Sequence, residues 1–102
     1  MQYIPDKWVI LEIEPGEVYK VLGGWKGGYL GADEWRLNSG IKELKEEEDC
    51  YVAVGHSGSE YYMNKQSEGL TMFSAGVLKS MQDRYPQITT VTVEEYRAKM
   101  RA

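Results

Sequence analysis

The sequence predicts an α+β domain: a curved antiparallel sheet of five to six strands, one helix covering a face of it, and a short C-terminal helix. Two observations carry this. Up to Asn64, apolar residues alternate with period two between turns of Gly, Pro, Asn and Ser; from Gly69 they recur at four-residue steps. Strands grouped ahead of helices, instead of alternating with them, favour α+β over α/β.

The first strand runs from Lys7 to Ile13, with Trp8 and Ile10 on one face and Val9, Leu11 and Ile13 on the other. Pro15-Gly16 turns the chain, proline presetting φ and glycine supplying a positive one. Val18 to Leu22 returns as the hairpin partner. Residues 23–40 hold six of the eleven glycines among three large aromatics. They read as a bent continuation of the second strand, a Gly-rich connection, and a short strand from Glu34 to Leu37 closed by Asn38-Ser39-Gly40. Ile41 to Lys45 is ambiguous in period and is assigned as a strand. Cys50 to Val54 and Glu60 to Asn64 form a hairpin around Ser57-Gly58-Ser59.

Gly69 to Tyr85 then reads as an amphipathic helix, with Phe73, Val77 and Met81, and Leu78 and Tyr85 beside them, as the stripe that faces the sheet and Thr71 or Ser74 as its cap. Pro86 stops it. Ile88 to Val91 is a short β-branched strand. Thr92-Val93-Glu94-Glu95 matches a capping box and opens a last helix from Val93 to about Arg101.

At 102 residues this is one domain, and apolar and charged fractions of 42% and 27% are ordinary for a globular chain. No apolar run approaches the length of a membrane span, and the first residues do not read as a signal peptide. Cys50 is the only cysteine, which excludes an internal disulfide, so a cytoplasmic setting is expected. The net charge of −4 is uneven: residues 1–68 carry 7 basic and 13 acidic side chains, and residues 69–102 carry 5 and 3. An acidic sheet half does not suit nucleic-acid phosphates.

Catalysis is hard to build from this inventory. Cys50 and the only histidine, His56, stand about 20 Å apart along one extended strand, too far for a nucleophile and its base. One Cys and one His make no zinc site, and the run Glu46 to Asp49 lacks the spaced ligands of a calcium loop. No cofactor is implied. The Gly-rich segment contains neither phosphate-loop pattern.

Two readings of that segment stay open. Glycines bend the sheet and Trp rings cover the flat areas they leave, which accounts for the segment structurally. Alternatively, Trp25, Tyr29 and Trp35 form an aromatic platform for a flat, nucleotide-like anion, with Lys26 and Arg36 at its phosphates and Asn38, Ser57 and Ser59 as polar partners.

Trp25-Lys26-Gly27-Gly28-Tyr29, Trp35-Arg36-Leu37-Asn38-Ser39-Gly40 and the Ser57-Gly58-Ser59 hairpin also resemble a group of small uncharacterised proteins of tailed phages, over roughly residues 7 to 64. The resemblance implies a phage-type accessory protein, such as an anti-defence factor, and lends no activity. The leading expectation is non-enzymatic sequestration of a small anionic ligand by a self-associating chain. The rivals are an acidic inhibitor that engages a host protein through Glu43 and Glu46 to Asp49, and a small virion or scaffold component.

Overall fold

The residue pattern of one strand dictates the layering. In this computed structural model, residues 1–27 and 33–101 are described. They form β1 (Gln2–Tyr3), β2 (Lys7–Glu14), β3 (Val18–Trp25), β4 (Glu34–Leu37), β5 (Ile41–Glu46), β6 (Cys50–Gly55), β7 (Glu60–Asn64), α1 (Met72–Arg84), β8 (Thr89–Val91) and α2 (Val93–Arg101). Along β2 every residue from Trp8 to Glu12 is buried, on both faces. A strand that is apolar on both sides must be covered on both sides. Two four-stranded sheets result, ordered β4-β3-β2-β8 and β1-β7-β6-β5. The Trp8 and Ile10 face meets Ala53, Tyr61 and Met63 of the second sheet. The Val9 and Leu11 face meets Leu78 of α1 and Ile88. The order of layers is sheet, sheet, helix, and α2 seals the margin of the first core with Val93 and Tyr96.

The α+β class is as the sequence predicts, but the single sheet of five to six strands is corrected to two sheets with eight strands among the described residues. The strand that the sequence reading did not mark is β1, two residues too short to show a period. It pairs parallel with β7, Gln2 opposite Glu60, so the second sheet is not wholly antiparallel. The two sheets are also connected in an order that strand periodicity does not encode: β4 joins β3, while β5, only three residues further on, starts the other sheet.

Helix α1 begins at Met72, not Gly69, and is rotated from its expected setting. Leu78 is buried and Met81 packs against the same core, as expected, but Ser74 is buried too, whereas Phe73 is 44% exposed and Val77 only half-buried. The cause is at its N-terminus. The Thr71 hydroxyl accepts from the Ser74 N–H at 2.9 Å, and Ser74 Oγ accepts from the Thr71 N–H at 2.9 Å. This reciprocal cap uses both residues that the sequence offered as alternatives. It lies against Gly24, where an added Cβ would stand 3.1 Å from Ser74 Oγ and from Thr71 Oγ1. The small, capped edge of the helix therefore faces the sheet, and the Phe73 edge does not.

Gly24 is thus a packing residue. Gly24→Ala is expected to cost about 1–3 kcal/mol, the usual range for overfilling a tight contact. Urea unfolding would show it as a lower midpoint, with faster amide exchange at the start of α1. An unchanged midpoint would mean that the helix does not rest on this glycine.

Helix α2 opens as the sequence predicts. The Thr92 N–H donates to Glu95 Oε1 at 2.8 Å and the Glu95 N–H to Thr92 Oγ1 at 3.0 Å. The basic residues further along do more than complement the helix dipole. Lys99 reaches Glu12 at 2.6 Å, and Arg97 reaches Glu46 at 2.9 Å.

Candidate functional site

The residues singled out by the sequence fall into three separate places. Antiparallel pairing of β3 with β4 sets Gly24 opposite Trp35 and Trp25 opposite Glu34. Because side chains alternate along a strand, Trp25 and Trp35 project from opposite faces of their sheet. The two tryptophans do not form one platform, and Tyr29, its third member, lies outside the described residues.

Trp25 belongs to the inner corner. Its indole N–H donates to the Ile4 carbonyl at 2.9 Å, and its ring meets Tyr3 edge-on at 6.4 Å between centroids. Tyr3 leans on Tyr61, and the Arg36 guanidinium lies 4.6 Å from the centre of the Tyr3 ring. Lys26 is exposed, and its backbone N–H donates to Asp6 Oδ2 at 2.8 Å. Gly23 leaves room for Pro5, 3.0 Å from where a Cβ would be. These contacts tie the N-terminal segment to β3, and they favour the structural reading of the glycines.

The second place is a polar junction between the sheets. Asn38 is 4% exposed, and its Oδ1 accepts from the Val21 N–H at 2.9 Å and the Gly40 N–H at 3.2 Å. Two backbone donors fix the amide's orientation, and its Nδ2 has no hydrogen-bond partner among the described residues. Alongside, Ser39 Oγ accepts from the Ser57 N–H at 3.0 Å, and the Ser39, Ser57 and Ser59 hydroxyls are chained at 3.2 and 3.3 Å. A Cβ on Gly55 would stand 2.8 Å from Ser39 Oγ and 3.5 Å from Asn38 Nδ2, so a glycine is needed for this approach. Asn38, Ser57 and Ser59 thus converge, through Ser39, away from both tryptophans.

The third place is the outer face around Trp35, which sequence reading missed as a unit. Trp35 is 42% exposed, and beside it lie the half-buried Val77 and Met81 of α1, with Tyr85 just beyond the helix; Phe73, 44% exposed, stands one groove further along. Met72 is 90% and Tyr85 51% exposed. An open groove of about 480 Å³ runs between Asp33 and the Met72–Ser80 stretch of α1. It adjoins a second groove beside Trp35, the two sharing Val77 and Ser80. The first has a size that holds small molecules, but among the described residues Asp33 and Ser80 are its only polar side chains. A carboxylate and one hydroxyl repel an anion more than they hold it. The signal available in the sequence was Phe73, Val77 and Trp35 themselves; their periodicity pointed to the core.

Elsewhere the chemistry is spent internally. Glu46, one member of the acidic run, pairs with Lys65 at 2.7 Å as well as with Arg97, and both cations lie near the Tyr51 ring. Burial, and then the neighbouring Glu47 carboxylate, push the Cys50 thiol pKa up, so it is not an activated nucleophile. Among the described residues no three His, Cys, Asp or Glu side chains cluster as metal ligands, and no helix is long and apolar enough to cross a membrane. Compared with protein-family models, curated proteins and solved structures, the chain matches none.

Proposed function

We propose that this chain is a non-enzymatic binding protein that docks another protein surface on the face made by Trp35 and α1. One observation carries the reading. Met72 and Phe73 on α1, Tyr85 just past it and Trp35 on an edge strand stand exposed along adjoining grooves. Contiguous exposed apolar surface marks interaction sites, and Trp and Tyr are the residues that most often anchor them. For a phage-type accessory protein, as the sequence resemblance implies, occupying a surface needs no catalytic group.

The test is native mass spectrometry of the protein purified from cells that produce it, wild type beside Trp35→Asp. A protein complex that forms with the wild type and is lost with Trp35→Asp, at an unchanged melting temperature, is the expected result. Retention of a small molecule by both proteins, with no complex, would overturn it.

A second reading keeps the small anionic ligand and moves it to the junction of Asn38, Ser39, Ser57 and Ser59. The buried Asn38 Nδ2, unpartnered among the described residues, favours it, as a donor whose burial costs free energy until it is paired. A retained small molecule that is lost on Asn38→Asp would select this reading.

A further inference from the structure

We infer that the partner for the Trp35 face is a second copy of this chain, joined edge to edge through β4 about a two-fold axis at Trp35; this rests on the docking reading above. Strand β4 is the terminal strand of its sheet and pairs only with β3 among the described residues. Its sequence is Glu34-Trp35-Arg36-Leu37. In an antiparallel pair centred on Trp35, Glu34 of each copy lies opposite Arg36 of the other. The strand is therefore complementary in charge to itself in that register. Opposite charges directly across strands stabilise a pair, and like charges oppose it.

The two faces of such a pair are already prepared. On one, the Arg36 guanidinium is held over the Tyr3 ring, 4.6 Å from its centre, and a guanidinium so placed still carries N–H donors that suit a carboxylate. Both Glu34 and Arg36 are exposed, and neither is among the ion pairs of the described residues, Lys65–Glu46, Arg97–Glu46 and Lys99–Glu12. On the other face, Trp35 meets its symmetry mate, and the exposed Tyr85, which shares a groove with Trp35, flanks the contact in each copy. A closed two-fold interface buries the same patch on both copies and joins two four-stranded sheets into one of eight. Edge strands that present free N–H and C=O groups favour this kind of joining.

The experiment is sedimentation velocity of the purified full chain across a wide range of concentration. The wild type is expected to approach twice its 11.7 kDa mass as concentration rises. Glu34→Arg and Arg36→Glu each place like charges opposite one another and are expected to raise the dimer dissociation constant by at least about tenfold. Mixing the two variants restores opposite charges at every cross-strand position, so a mixed dimer should reappear. That recovery also shows that both variants are folded. Three results would overturn the inference: a wild type that stays monomeric throughout, a dimer that neither charge reversal nor Trp35→Asp weakens, or variants that do not recover on mixing. A monomeric wild type that still forms a Trp35-dependent complex with another protein would leave the docking reading standing and remove self-pairing alone.

Discussion

Trp8→Ala is expected to lower the stability of this protein by about 4 kcal/mol, within the range for deleting a fully buried large aromatic. In a domain of this length that corresponds to a melting temperature lower by roughly 20 °C. The reason is position as much as size. Trp8 is fully buried between the two sheets, and its ring meets Tyr51 edge-on at 6.2 Å. Its indole N–H donates to the Asn64 carbonyl at 2.8 Å, at the end of β7. Its backbone pairs with Gly23 on one side, and on the other it accepts from the Gly69 N–H at 2.8 Å. One residue therefore joins both sheets to the segment that leads into α1. Trp8→Phe keeps most of the volume and loses the indole bond, so it should cost about 1–2 kcal/mol through the unpaired carbonyl. Thermal unfolding followed by far-UV circular dichroism checks both values. If Trp8→Ala melts like the wild type, this residue does not join the layers.

The layers were only partly legible in the sequence. Alternation in β2 showed that Trp8 and Ile10 oppose Val9 and Leu11, and Pro15-Gly16 set the hairpin, with Gly16 at φ 73° and Glu17 N–H donating to the Glu14 carbonyl. Those signals are local. Which strand lies beside which is not local, and nothing near Asn38 announces that the next strand belongs to the other sheet. The facing of α1 failed for a sharper reason. Apolar spacing favoured the Phe73, Val77 and Met81 stripe, of which Met81 does pack on the core, but the tight fit of Thr71 and Ser74 on Gly24 turned the Phe73 end outward. A polar cap against a glycine leaves no trace in hydropathy.

The candidate site was legible to a similar degree. Asn38, Ser57 and Ser59 were marked as polar partners and do meet, because the two turns that carry them pack on each other: the His56 N–H donates to the Gly40 carbonyl at 3.0 Å. The supposed platform divides because Trp25 and Trp35 fall on opposite faces of one sheet. That could be known only from the β3–β4 register, which the sequence between the two strands does not reveal.

Acid should destabilise this protein through one carboxylate that sequence analysis did not single out. Glu12 is 6% exposed on the inner face of β2. It accepts from Lys99 Nζ at 2.6 Å and from the Tyr19 hydroxyl at 2.7 Å, and these two hydrogen bonds, Lys99 first, hold its pKa below the ordinary carboxylate value. A lowered folded-state pKa means that the unfolded chain binds the proton more readily. The stabilisation is therefore present above about pH 4.5, the ordinary value, and is lost as pH falls through the lower folded one. Glu46, held low by Lys65 and Arg97, acts in the same window from the surface. Burial, with the Glu12 hydrogen bond, raises the Tyr19 pKa to about 12, so that its contribution is lost as pH rises from 10 toward that value.

The expected result is a melting temperature that falls steeply below pH 4.5 in the wild type and less steeply in Glu12→Gln, with Glu46→Gln as the surface control. At neutral pH, Lys99→Met strands the buried carboxylate. Breaking a fully buried pair costs 3–5 kcal/mol; Lys99 is 45% exposed and water screens it, which reduces the expected cost to about 2 kcal/mol. Because Lys99 is on α2 and Glu12 on β2, that loss should appear first as faster amide exchange in α2. An acid profile that Glu12→Gln leaves unchanged would show that the pair between these two elements is not what acid breaks.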